Sequence, residues 1–231
     1  RPVMAPGTVP VSLGSCDGSA RSKEAARAVR SDGVLLFAST SGETGSELWR
    51  SDGTAAGTFM VADLWAGPSG STPANFVLLG DELIFTARVA GVTKLWRSDG
   101  SAAGTSEIAL AGGAQPQEYG GSYAVAGGSY FFAASDADHG TEPWIFDGVS
   151  ARRVRDVLPG SGSSLRFSIP AYSASFFAAT PGGILFSADD GTFGTEVWTS
   201  DGTSAGTQRI SDIAPGAAGL TPHEAFKRAV V

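Results

Sequence analysis

Short runs of aliphatic, aromatic and β-branched residues, each broken by a turn rich in Gly, Asp or Ser, fill this chain. Residues 75–110 show the pattern most cleanly. Residues 75–79 are apolar, Gly80-Asp81 is a tight turn, and residues 82–87 are again rich in β-formers. A short loop then leads to Thr93-Lys94-Leu95-Trp96-Arg97, the turn Ser98-Asp99-Gly100 and a last run over 106–110. Strand-length runs joined by hairpin-length turns predict four antiparallel strands in one unit. No copy carries a 3.6-residue apolar period, which excludes helical repeats.

The unit recurs. Leu48-Trp49-Arg50-Ser51-Asp52-Gly53-Thr54-Ala55-Ala56-Gly57-Thr58 returns as Leu95-Trp96-Arg97-Ser98-Asp99-Gly100-Ser101-Ala102-Ala103-Gly104-Thr105 with one change. A fourth copy, Glu196-Val197-Trp198-Thr199-Ser200-Asp201-Gly202-Thr203-Ser204-Ala205-Gly206-Thr207, is close to full; the third, Glu142-Pro143-Trp144-Ile145-Phe146-Asp147-Gly148, is degenerate. Phe37, Phe85, Phe132 and Phe186 each precede their tryptophan by 11 or 12 residues, an offset that sets Phe and Trp on adjacent antiparallel strands. Tandem four-stranded units of this length predict an all-β fold, a β-propeller of four-stranded antiparallel blades. A linear β-solenoid stays open as the alternative.

Complete units fall at 20–64, 75–110, 120–158 and 170–213 of a single propeller domain spanning 1–231. Residues 20–29 read as a linker able to form a helical turn. Gly7-Thr8-Val9 matches Gly57-Thr58-Phe59, and Pro222-His223-Glu224-Ala225-Phe226 matches Pro73-Ala74-Asn75-Phe76. Partial units at 1–14 and 222–231 would then split a fifth blade. A half-built blade has edges that invite pairing, so the chain is expected to be a slice of a longer array or to close through another chain.

Composition narrows the partners. The chain is 42% hydrophobic and 17% charged with 32 glycines, enough apolar residues for a core. A net charge of −7 argues against nucleic acid or an anionic membrane as the main partner, because phosphate binding needs a basic patch. Cys16 stands alone and allows no internal disulfide. Leu13-Gly14-Ser15-Cys16 faintly resembles a lipoprotein cleavage box, but Pro2, Pro6 and Pro10 interrupt the stretch before it. No apolar run is long enough for a membrane span. Arg1 at the start suggests a processed or excised polypeptide.

Glu47-Leu48-Trp49-Arg50-Ser51-Asp52-Gly53-Thr54-Ala55-Ala56-Gly57-Thr58 resembles the ELWxxDGTxxGT repeats, also labelled hyalin-like, of secreted and surface proteins of myxobacteria, Bacteroidetes and related bacteria. The resemblance covers nearly all of 7–226 and implies an exported, multi-copy repeat protein of adhesive or scaffolding role. It carries over no catalytic residue. The third copy departs from it, with Pro143 for Leu and no Gly-Thr pair after Val149, so one blade edge is expected to differ there. The unit length also resembles five-bladed sugar-binding lectins, as a fold analogy alone.

Candidate chemistry lies where the copies disagree, in the loops at 41–47, 89–94, 136–142 and 189–196. Asp136, Asp138, Asp189 and Asp190 cluster with glycines and are weak candidates for Ca²⁺; capping of their own turns explains them as well. No other cofactor is expected. Trp65, the one tryptophan outside the repeat position, and Phe193 are candidates for stacking on a sugar ring, whereas the four repeat tryptophans are expected in the core. His139 and His223 are the only histidines and belong to different units. Asp138 and Asp190 are the conceivable carboxylate pair of a glycosidase.

The sequence therefore points to a secreted or cell-surface binding or adhesion module. Its expected ligand is a carbohydrate or a surface protein, held through Trp65, Asp136, Asp138, His139, Asp189, Asp190 and Phe193. The alternatives are a structural array whose incomplete blade self-associates, and a glycoside-acting enzyme. A non-enzyme is the expectation.

Overall fold

The computed structural model describes residues 27–118, 123–165 and 177–210. The partial units at 1–14 and 222–231, with Cys16 and His223, lie outside the described residues. The chain divides into two compact units, Arg1–Ile108 and Ala109–Val231, each with two antiparallel sheets among its described residues.

The first unit holds β1 (Arg27–Val29), β2 (Leu35–Ser41), β3 (Gly45–Ser51) and β4 (Phe59–Ala62) in sheet 1. Its sheet 2 is β5 (Ala74–Leu79), β6 (Glu82–Val89), β7 (Val92–Ser98) and β8 (Ser106–Ile108). The second unit holds β10 (Tyr123–Ala126), β11 (Ser129–Asp136), β12 (Gly140–Phe146) and β13 (Ala151–Arg153) in sheet 3, with β9 (Gln115–Pro116) added beside β11. Sheet 4 is β14 (Phe177–Thr180), β15 (Gly183–Asp189), β16 (Thr195–Ser200) and β17 (Gln208–Arg209). Every sheet runs in sequence order, the up-and-down meander of a propeller-type blade. One expectation is corrected: Arg27–Val29 is an edge strand paired with Leu35–Phe37 rather than part of a linker or helical turn.

The Phe–Trp offset has the predicted consequence. Phe37 pairs with Trp49, Phe85 with Trp96, Phe132 with Trp144 and Phe186 with Trp198. In the second unit Phe186 and Trp198 join Phe131 and Ile145 of the preceding sheet in one core; in the first, Phe85 and Trp96 join Leu36 and Leu48. Each fully buried side chain of this size contributes about 1.5–3 kcal/mol. Trp144 and Trp198 are buried, but Trp49 and Trp96 are only half-buried. Trp96 sits at the rim of its core, packed against the cluster of Leu36, Leu48 and Phe85.

The repeated Ser-Asp-Gly-Thr-x-x-Gly-Thr segment is a turn closed by its own side chains. Asp52 Oδ1 accepts from the backbone N–H and the hydroxyl of Thr54, whose Oγ1 accepts from Gly57 N–H. Thr58 donates to Thr54 O, and Ser51 Oγ lies 2.6 Å from Thr58 Oγ1. The same bonds recur around Asp99 and Asp201. The hydroxyl at Thr54, Ser101 or Thr203, then its N–H, holds each aspartate below the usual carboxylate range. A Cβ on Gly57, Gly104 or Gly206 would collide with that carboxylate, so only glycine fits. In the third copy the turn is shorter, with Asp147 accepting from the N–H groups of Val149 and Ser150.

The glutamate at the head of the motif fastens the connector that follows each sheet. Buried Glu47 accepts from the N–H of Leu64 and from the N–H and hydroxyl of Ser71. Buried Glu142 does the same for Val157 and Ser164. Gly45 and Gly140 let the connector approach, because a Cβ there would strike the backbone of Gly70 or Gly162. Sheet 2 has lost this clamp: Val92 stands for the glycine, and Lys94 for the glutamate. Lys94 pairs instead with Glu107 at 2.8 Å, and the division between the two units falls directly after β8.

Candidate functional site

The pocket that gathers charged groups in the second unit has a volume of about 470 Å³, within the range of small-molecule sites. It lies beside sheet 3, between the β11–β12 turn, the segment after β13 and residues Ala111 and Gly112. Asp136, Asp138 and His139 come from the turn; Arg152, Arg153, Arg155 and Asp156 come from β13 and the connector. Trp144 forms part of the wall.

Asp136 organises this turn. Its Oδ1 accepts from the N–H groups of Asp138 and His139 and lies 2.8 Å from His139 Nδ1. Its Oδ2 lies 3.3 Å from Arg153 Nη1, and the side chain is only 7% exposed. Burial pushes the carboxyl up, but the His139 ring and the two backbone donors outweigh it and hold Asp136 below the usual range. Asp136 is therefore an ionised anchor.

Arg153 reaches Asp136 because it pairs with Trp144 across β12 and β13. The same register position opposite the tryptophan is Met60, Glu107 and Arg209 in the other sheets. Arg152 donates to Gly202 O at 3.2 Å, as Arg50 does to Gly100 O. Arg155 donates to Thr207 O at 2.6 Å and lies 5.9 Å from the Trp198 ring. Among the described residues, each of the three guanidiniums is thus tethered at one nitrogen. Asp156 differs: its Oδ1 is buried and has no hydrogen-bond partner among the described residues.

Behind the pocket, Glu142 is pushed up to about 7. Burial is the main cause, opposed by the donors at Val157 and Ser164 and reinforced by the nearby Asp156 charge.

Of the residues the sequence singled out, Asp136, Asp138 and His139 come together in the pocket. Asp189 ends β15 and Asp190 opens the turn to β16, and both cap it: Asp189 accepts from Gly191 N–H, and Asp190 from Thr192 and Phe193 N–H. The Arg209 guanidinium lies over the Phe193 ring, 3.7 Å from its centroid. Trp65 belongs to the first unit, half-buried in the connector held by Glu47. Among the described residues, no group of three or more His, Cys, Asp or Glu side chains is arranged to hold a metal ion. The sequence reading missed the arginines and Asp156, although Arg152-Arg153-Val154-Arg155-Asp156 places four charges in five residues.

No family model matches the chain. No curated protein matches it by sequence. Solved structures do match. A puromycin hydrolase determined in complex with PGG is similar, with a TM-score of 0.52 and 15% identity, over 85% of this chain and 29% of that one. A puromycin-hydrolysing peptidase of Mycobacterium tuberculosis follows at a TM-score of 0.48 and 11% identity, over 81% and 29% of the two chains. TolB from Acinetobacter baumannii gives 0.40 and 16%, over 73% and 41%. This chain therefore spans less than a third of the length of either hydrolase.

What the first of these shares is the propeller-type fold. That corrects the expectation of a non-enzyme. The fold is shared with a hydrolase, so an all-β repeat without a recognisable catalytic motif is no ground for setting catalysis aside.

Proposed function

We propose that this chain is a propeller-type recognition module of an exported repeat protein, and that the pocket beside sheet 3 binds a carbohydrate. One observation carries the reading. The turn and clamp residues shared by the copies serve the scaffold, whereas the pocket's Asp136, Asp138, His139, Arg152, Arg153 and Arg155 come from the third copy's own turn and outer segment. Its carboxylates, guanidiniums and imidazole supply the donors and acceptors that a hydroxyl-rich ligand needs. The likeness of Glu47–Thr58 to the ELWxxDGTxxGT motif supports export and an adhesive or scaffolding setting. A glycan array tests this. Binding lost in Asp138→Ala and kept in Trp65→Ala and Phe193→Ala is the expected result; an array without a hit overturns it.

A second reading, hydrolysis, is favoured by the contact of His139 Nδ1 with Asp136. A buried, ionised carboxylate orients the ring and favours Nδ1–H, which leaves Nε2 as a general base. Turnover of chromogenic glycosides or peptides that disappears in His139→Gln would support it. A panel without turnover removes it.

A further inference from the structure

The pocket's charge arrangement names a narrower ligand class, on the basis of the carbohydrate reading above. Arg152, Arg153 and Arg155 line one cavity and, among the described residues, are tethered through a single nitrogen each, to Gly202 O, Asp136 and Thr207 O. A guanidinium has five donors in a planar fork suited to a carboxylate, so a tether at one nitrogen fixes the group and leaves most of the fork to a ligand. The tethers also remove part of the ordering cost that a loose arginine would incur on binding.

Asp156 supplies the complementary half. Buried polar atoms are almost always paired, and a carboxylate oxygen has no donor of its own. Its Oδ1 is buried and unpartnered among the described residues, in a wall that also holds the three arginines. Asp136 does not compete for the ligand, since His139, Asp138 and Arg153 satisfy it. The site thus offers cationic forks, the Asp138 carboxylate and one buried acceptor awaiting a donor.

We infer that this pocket binds the carboxylate-bearing ring of an acidic saccharide, with the arginines taking the carboxylate and Asp156 taking a ring hydroxyl. A neutral sugar would leave the guanidiniums unmatched. A simple carboxylate would leave Asp156 unpaired.

Calorimetric titration of the intact chain with galacturonic and glucuronic acid, their methyl esters and the neutral parents galactose and glucose tests this. An acid should bind about tenfold or more tightly than its ester and its neutral parent, the usual advantage of charge-assisted bonds. Arg155→Gln should bring the acid to the level of the neutral sugar, and Asp156→Ala should weaken both, with denaturation midpoints confirming folded protein. The comparison of acid and ester on the unaltered chain needs no variant to fold. Equal affinity for acid, ester and neutral sugar overturns the inference and leaves the carbohydrate reading standing. Absence of binding to every saccharide overturns both.

Discussion

Glu142 accepts both the backbone N–H and the hydroxyl of Ser164, at 3.1 and 2.7 Å. Glu47 holds Ser71 in the same way, and both glutamates also take a connector N–H, from Val157 and Leu64. Two residues far apart in the chain thereby fix the path between one sheet and the next.

Truncating either glutamate strands three donors, all buried at Glu142 and two of them buried at Glu47. Glu47→Ala and Glu142→Ala should each cost about 3 kcal/mol, and Ser71→Ala or Ser164→Ala about 1 kcal/mol. Urea denaturation curves measure this. A shift below about 0.5 kcal/mol for both glutamates would show that the connectors need no clamp.

Stability should also carry two opposed pH dependences. The Glu142 carboxyl is raised from 4.5 to about 7 by burial, so the folded protein binds the extra proton between those values. Its contribution is present below about 4.5 and is lost as the pH rises through about 7. Asp136 is held below its ordinary 3.8, so its contribution is present above that value and is lost as the pH falls through its folded value. Denaturation midpoints against pH should flatten in the upper window for Glu142→Gln and in the lower window for Asp136→Asn. Unchanged profiles would contradict both assignments.

The closed turn predicts a sharp steric result. Gly104→Ala places a Cβ on the Asp99 carboxylate and forces it off Ser101, at a cost of about 1–3 kcal/mol. Ala102→Ser, on the exposed tip of the same turn, should stay within about 0.5 kcal/mol. Thermal melts of the two variants are compared directly.

Hydrogen exchange should separate clamped from unclamped connectors. The amides of Leu64, Ser71, Val157 and Ser164 are bonded to carboxylates, and those of the exposed Gly112 and Gly113 are not. Slow exchange at the first four and fast exchange at the glycines is expected. Glu47→Ala should release Leu64 and Ser71 alone.

Phe193→Ala removes the surface on which Arg209 lies. A loss of about 0.5–1 kcal/mol in stability, with no change in saccharide binding, is the expected result. Lost binding with unchanged stability would instead return Phe193 to the ligand site.

The strand pattern was legible because each copy states it again. Alternating apolar runs and Asp-Gly turns specify hairpins locally, and the constant Phe-to-Trp offset specifies register. The site was legible only in part. Asp136, Asp138 and His139 share one short turn, so sequence proximity alone brings them together. Arg153 joins them through a cross-strand pairing, and Asp156 through the path of the connector; neither leaves a mark in the spacing. The contact of Phe193 is equally non-local, since Arg209 lies over its ring from the outer strand.

By itself the sequence determined the all-β, four-stranded unit and its repetition, because turn chemistry and side-chain alternation act over a few residues. Tertiary structure decided which polar residues serve the scaffold and which face a ligand. Glu47 and Glu142 looked like loop acids and are buried clamps, while Arg152, Arg153, Arg155 and Asp156, which the sequence reading passed over, line a pocket. Burial and the partner that satisfies each charge are properties of distant residues brought together, and no local pattern encodes them.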